Sequence, residues 1–375
     1  MQRVLVAISI DAVGAARLPR LLADSGCEVS VVSGQGLSIL SSRSVHHHVR
    51  TGRSPAEVRA GLEAELTRNS GFYSLVIIAD EPLLRLFLDH PPVAELARLV
   101  PLTADPQRLA RILSKVSFTE DAAKAGIAVP EYRVIGSRDE LMGEEWSGEP
   151  FVLKKEASLS GSGVMVIRGA DDLEAAKADR DSGPILRQHF LTGKVGATSV
   201  LFDHGVPKCW FSYFLRRNWP NALASASAIE IFWHSDIEPM LVKLGKLTEF
   251  HGFCGVDWIL DENRDQPLVL EVNPRPTPGL YLSAAAGVSF ALAIGDWLRG
   301  GSTVQRPSEN AGGLHRMFPQ NLFRAIDDRE ASEFVRTWMD APWTDPGLLF
   351  AQSRRVATHY LPLSMRRRLK CWLRS

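Results

Sequence analysis

Apolar positions along this chain follow two rhythms, and the switches between them mark out its elements. Val4-Leu5-Val6-Ala7-Ile8 is a short unbroken apolar run, the pattern of a buried strand. A helical stretch runs from Gly14 to about Ser25 and closes at Gly26. Residues 28–32 read as a second strand, 56–68 as a helix and 74–79 as another apolar strand. Strand, helix and strand at this spacing predict a parallel, doubly wound sheet. Asp80-Glu81 would then lie at a strand's carboxyl end, where open α/β sheets place ligands. Capping the next helix is the plainer role for that pair.

Pro91-Pro92 and the proline-bounded stretch 101–106 look like connections between units. Two helical stretches follow, 107–113 and 119–125, the second stopped by Gly126, with Lys115 just before it. Strands are expected over 132–135, 151–154 and 164–168, the last two separated by the small-residue loop Ser158-Leu159-Ser160-Gly161-Ser162-Gly163. A helix over 171–178 and a strand over 184–190 come next. Strands 198–203 and 206–215 form a hairpin about His204-Gly205, with Arg216-Arg217 at its end. A strand over 227–233 and a helix over 237–250 lead to strands 256–260 and 268–273, joined by a polar turn. A helix over 289–298 ends at Gly300-Gly301, and linker-like composition runs on to Glu309. No solenoid or propeller repeat is visible.

Composition narrows the class. The 375 residues exceed one ordinary core and predict two or three packed units. Lysine plus arginine balance aspartate plus glutamate at 43 each, so no global charge argues for nucleic acid. Cys27, Cys209, Cys254 and Cys371 are scattered without a CxxC, which fits reduced thiols in the cytoplasm. No signal-peptide pattern opens the chain, and no apolar run approaches the roughly 20 residues that span a bilayer. Gly14 is not part of a GxGxxG, so dinucleotide binding is unsupported. His46-His47-His48 are consecutive, and in a strand they cannot all face one metal.

The strand pair 256–260 and 268–273 carries the candidate chemistry. Glu271 and Asn273 are two apart and share a strand face, and Asp257 on the neighbouring strand can sit beside them. Two carboxylates and an amide oxygen make the oxygen-rich donor set that Mg²⁺ prefers. The loop from Ser158 to Gly163 offers backbone N–H groups with little side-chain bulk and can close over phosphates, although it lacks a P-loop's GKS/T ending. Arg216, Arg217 and Arg275 fall at or just past strand ends, where a guanidinium can grip a carboxylate or phosphate.

Lys115, Lys154, the loop Ser160-Gly161-Ser162-Gly163-Val164, Asp257 and Glu271-Val272-Asn273-Pro274-Arg275, in this order, resemble the ATP-grasp superfamily of carboxylate–amine ligases. The resemblance covers about residues 107–300. It implies an α/β (α+β ATP-grasp) fold: a Rossmann-like, doubly wound parallel domain over 1–105, a small ATP-grasp subdomain with the lid over 106–190, a second with the metal site over 191–305, and a C-terminal helical extension over 306–375. By the same resemblance Lys115 and Lys154 bind nucleotide, and Ser160, Gly161, Ser162, Gly163 and Val164 form a mobile lid. Residues 186–190, with Arg187, Gln188, His189 and Phe190 as the candidate contacts, form the hinge whose backbone meets adenine. Asp257, Glu271 and Asn273 hold Mg²⁺ (or Mn²⁺), and Arg275 lies near the transferred group. Arg275, Lys154 and Arg216 are the candidate catalytic cations.

The implied cofactors are ATP and Mg²⁺, and the implied partners are a small-molecule carboxylate and an amine. The expected reaction forms an amide or peptide-like bond through an acyl phosphate and releases ADP and phosphate. A carboxylase using carboxyphosphate and an ATP-binding regulatory module without turnover are the alternatives. Two departures bear on nucleotide binding. The hinge lacks the usual glutamate, and Gly193-Lys194-Val195-Gly196 holds no ribose-binding carboxylate.

Residues 354–375 hold seven basic residues and no acidic one. A solvated helix packed on the ligase core is expected there, and contact with an anionic membrane or a partner is the other reading. A homodimer is compatible with the sequence.

Overall fold

The computed structural model describes residues 2–89, 96, 99–100, 105–156, 163–179, 183–221 and 224–361. Its first sheet is wholly parallel, in the order β3-β2-β1-β4, from β1 (Gln2–Ala7), β2 (Cys27–Ser33), β3 (His47–Arg50) and β4 (Leu75–Ile78). Helix Pro55–Arg68 covers one face, its start closed by a reciprocal Ser54–Glu57 capping box.

Two features of this first unit differ from the pattern-based expectation. The stretch after Gly14 is a 3₁₀ turn, Val13–Arg17, followed by the helix Leu18–Asp24. β3 has no apolar run to announce it, because as an edge strand it is exposed or half-buried throughout. The histidines there are spread apart: His46 Nδ1 accepts the Val29 N–H at 3.1 Å, while His48 Nε2 lies 3.3 Å from Ser33 Oγ.

Helices Pro106–Leu113 and Lys115–Lys124 lead out of this layer. The second starts earlier than the apolar pattern predicts, because Ser114 caps it by accepting the Ser117 N–H at 2.9 Å. Lys115 therefore belongs to the first turn of the helix. The second sheet is antiparallel in the order β5-β8-β6-β7, from β5 (Tyr132–Ile135), β6 (Phe151–Lys155), β7 (Val164–Ile167) and β8 (Ile185–His189). Ser160, Gly161 and Ser162 of the expected lid lie outside the described residues. At the loop's base, the Lys155 N–H donates to the Gly163 carbonyl at 2.9 Å.

The third sheet is antiparallel in the order β13-β12-β9-β10-β11-β14. Its strands are β9 (Gly193–Asp203), β10 (Val206–Asn218), β11 (Ala226–Phe232), β12 (Gly252–Asp261), β13 (Gln266–Asn273) and β14 (Leu314–Arg316). Both faces are covered. Val200, Phe202, Cys254, Val256 and Trp258 join one core with helix Ile237–Thr248, while Ala197, Leu201, Phe211, Tyr213 and Phe253 join another with the first sheet. Two covered faces explain why these antiparallel strands read as unbroken apolar runs, a pattern more usual in parallel sheets.

Helices Gln320–Asp327, Ala331–Thr337 and Pro346–Tyr360 form the C-terminal extension around Phe318, Leu322, Phe323 and Val356. The last helix packs on the body of the protein, with Arg355 paired to Asp11. The basic residues beyond Leu361 lie outside the described residues. Among the described residues, no single helix is long and apolar enough to cross a membrane.

Candidate active site

A cavity of about 640 Å³ opens between the second and third sheets. Lys154 and Val164 reach it from the second sheet, Lys115 from its helix, and Asp257, Glu271 and Asn273 from the third. The strand register explains the acidic wall. Asp257 pairs directly with Glu271, and Gly255 with Asn273. A bulge after Asp257 absorbs one residue of β13, shifting the pairing toward the turn without moving the two carboxylates apart. Asn273 Nδ2 donates to Asp257 Oδ2 at 3.0 Å, and Arg275 Nη2 donates to Asn273 Oδ1 at 3.5 Å. Gly255 lets the following loop close over the strand: a Cβ there would fall 2.6 Å from Thr277 Cγ2.

Charge is concentrated and poorly hydrated. Burial pushes the Asp257 carboxyl up, and the charge of Glu271 opposite pushes it further. Lys154 is only 8 % exposed, and burial pushes its ammonium down to about 8, against the pull of Glu271. Burial also lowers Lys115, opposed by Glu271 and then Glu81. Two facing carboxylates, an amide and two partly desolvated lysines form a donor set of hard oxygens with cations around its rim. That set fits a divalent metal bound together with an anionic ligand: the metal would relieve the Asp257–Glu271 repulsion, and the lysines would meet the anion.

The remaining candidates divide. Arg275 and Arg216 both line the cavity, but Arg216 is held by Glu230 on the neighbouring strand. Arg217 is not among the lining residues. Gly163 stands at the base of the loop before β7 and is not among the lining residues.

The side chains of the expected hinge alternate between two faces of β8. Strand pairing puts Gln188 on the same face as Lys154, through Val152, and puts Arg187 on the opposite face with Leu153. The Arg187 guanidinium lies 4.0 Å from the Phe151 ring centroid, and Glu144 pairs with it. Side-chain alternation thus turns Arg187 and His189 away from the cavity. The N–H groups of His189 and Phe190 are taken by the carbonyls of Glu131 and Pro150. The cavity wall on this side is formed instead by Gly193, Lys194 and Val195.

Sequence reasoning missed other lining residues. Tyr213 is buried, and burial pushes its hydroxyl up to about 12; it bonds with Ser199 and Thr277, themselves 2.6 Å apart. Nothing in local spacing marks Tyr213, whereas Thr277 lies just past the Asn273–Arg275 signal. Asp80 is a cap, accepting the Leu83 N–H at 2.9 Å and the Ser9 hydroxyl at 2.9 Å, but Glu81 beside it lines the cavity with its partner Arg85.

No protein-family model and no curated protein matches the sequence. Solved structures do match. The N5-carboxyaminoimidazole synthetase of Staphylococcus aureus aligns at a TM-score of 0.65 and 14% identity, over 88% of this chain and 86% of that one. An L-amino acid ligase from Bacillus licheniformis aligns at 0.59 and 15% identity, over 85% and 80%. The biotin carboxylase domain of the Hydrogenobacter thermophilus 2-oxoglutarate carboxylase, seen there with MgADP, ADP and bicarbonate, aligns at 0.62 and 15% identity, over 84% and 74%. The chain has the ATP-grasp fold. The structural match shows the fold, and at this identity the chemistry rests on the residues. Within this ATP-grasp fold the two antiparallel sheets face each other across the cavity, lysine on one side and paired carboxylates on the other.

Proposed function

We propose that this protein is an ATP-dependent carboxylate–amine ligase that works through an acyl phosphate and releases ADP and phosphate. The observation that carries this reading is the convergence of Lys115, Lys154 and Arg275 with the register-paired Asp257 and Glu271 in one cavity. ATP would lie between the two sheets, with the lysines on its phosphate oxygens. Asp257, Glu271 and the Asn273 amide oxygen would hold Mg²⁺ (or Mn²⁺), which when bound neutralises charge on the phosphates.

A substrate carboxylate oxygen attacks the γ-phosphorus, the bond from that phosphorus to the β,γ-bridging oxygen breaks, and ADP leaves with the electron pair. Arg275 would stabilise the charge that develops on the transferred group. The amine nitrogen then attacks the acyl carbon, phosphate departs, and the nitrogen loses a proton. This route needs no protein nucleophile. The wall formed by Leu215, Ile229 and Met317 favours a substrate with an apolar group beside its reacting end. The biotin carboxylase domain among the similar structures, seen with bicarbonate, supports a second reading, with bicarbonate as the acid in the same first step.

An ADP-release screen over acid–amine pairs, with bicarbonate as one acid, tests these readings. With ¹⁸O-labelled carboxylate the released phosphate should carry one label. Label in AMP with pyrophosphate formed would overturn the mechanism, and ADP release only with bicarbonate would replace the amide-forming reading by the carboxylase one.

A further inference from the structure

A second cluster of metal-binding side chains stands at the end of β9, away from the residues that line the main cavity. Asp203 closes β9, His204 heads the turn into β10, and His251 immediately precedes β12. One ligand atom from each lies within 4.8 Å of the others. His204 Nδ1 is 2.9 Å from Asp203 Oδ1, His251 Nδ1 is 3.3 Å from the same oxygen, and the two imidazole centroids are 3.9 Å apart.

The backbone holds this arrangement. His204 has φ 46°, a left-handed conformation that costs a residue with a Cβ, and Glu249 has φ 47°. Gly205 donates its N–H to the Phe250 carbonyl at 2.7 Å, which locks the turn to the segment carrying His251. Close packing secures it: a Cβ on Gly205 would fall 2.5 Å from the Gly245 carbonyl oxygen. Trp297 stands edge-on to His251, with ring centroids 5.0 Å apart, and bonds Asp203.

Hydrogen bonding alone does not account for the cluster. The His204 N–H is placed to donate to His251 Nδ1 at 3.2 Å. That nitrogen cannot accept from the amide and donate to Asp203 at once. A cation shared by the Asp203 carboxylate and the Nδ1 lone pair would relieve the repulsion between them, taking the place of the amide N–H. Beside the cluster, a cavity of about 310 Å³ is lined by Asp203, His251 and Trp297 and by Leu75 and Val100 of the first unit. Three protein ligands with room beside them leave a coordination position for water or a small anion.

We propose that Asp203, His204 and His251 form a second metal site, selective for a borderline divalent ion of the Zn²⁺ class. Two imidazoles and one carboxylate favour such an ion over Mg²⁺, which takes oxygen donors. The ion would tie the β9–β10 turn to the start of the strand that carries Asp257.

The test uses the full chain after chelator treatment, with Co²⁺ as the spectroscopic probe and Zn²⁺ as competitor. We expect one Co²⁺ per chain with visible ligand-field bands, displaced by Zn²⁺, and a Zn²⁺-dependent rise in Tm. His251→Gln and His204→Asn should each weaken Co²⁺ binding by more than about tenfold, a loss that removing an outer-shell partner alone can reach. His204 is exposed and asparagine tolerates its backbone conformation, so His204→Asn keeps the test valid if the half-buried His251 variant folds poorly. Glu271→Gln should leave the Co²⁺ bands unchanged. Full Co²⁺ affinity in folded His204→Asn, no Co²⁺ binding by the parent chain, or loss of the bands in Glu271→Gln would each overturn the proposal.

Discussion

Two side-chain clusters lie along β12, and they offer different donor chemistry. In the middle of β12, Asp257 faces Glu271 inside the large cavity, with Lys115 and Lys154 completing the charge balance. At the strand's beginning, His251 meets Asp203 and His204 at the edge of the protein. The first cluster is all oxygen, desolvated and self-repelling, so it gains most when a small divalent ion arrives with a polyanion. The second is mostly nitrogen, partly open to solvent, and holds its carboxylate with neighbouring side chains already. Donor chemistry and depth, not strand position, separate the two. A carboxylate pair placed at the surface turn would be solvated and largely indifferent to a metal.

The contrast is broken most severely by Glu271→Gln, which removes one charge and hardly any volume. Turnover should fall by about a thousandfold, the scale of several kcal/mol of lost charge stabilisation. ADP release measured beside a far-ultraviolet circular dichroism spectrum checks this, and a folded variant with full activity would refute the metal assignment. Next in size is Arg275→Lys. A lysine keeps the charge but loses the two-pronged geometry, so kcat should drop by about tenfold with Tm unchanged. An unaltered kcat would leave Arg275 as a strut for Asn273. The least direct effect on turnover comes from Gly255→Ala, which lies between the two clusters on β12 and reads stability. The new methyl group would press on Thr277 and cost about 1–3 kcal/mol in a urea titration. Both ATP binding and Co²⁺ binding should weaken if β12 transmits the displacement, whereas weakening of ATP binding alone would show the clusters to be mechanically separate.

Much of this was legible in the residues. The alternation of apolar strands and helices predicted the parallel first sheet, and the spacing of Glu271 and Asn273 placed them on one face, because side-chain direction in a strand depends only on local geometry. Lys115, Lys154, Asp257 and Arg275 were found by their order along the chain, and all four line the cavity. The stretch Arg187-Gln188-His189-Phe190 shows what order along the chain leaves open: strand alternation sends the Arg187 side chain toward Phe151 and leaves Gln188 on the face shared with Lys154.

By itself the sequence determined the apolar strands, though not the edge strands β3 and β14, and which residues share a strand face. Only the tertiary structure decided that Asp257 stands opposite Glu271 rather than one residue along, since pairing register depends on the bulge at Leu270 and on burial of both sheet faces. It alone brought Tyr213 to Thr277 and Ser199, and His251 to the turn at His204. Those contacts join residues far apart in the chain, and no periodicity encodes them: Gly205 and Gly245 let two backbones approach, and Gly255 leaves room for the Thr277 side chain.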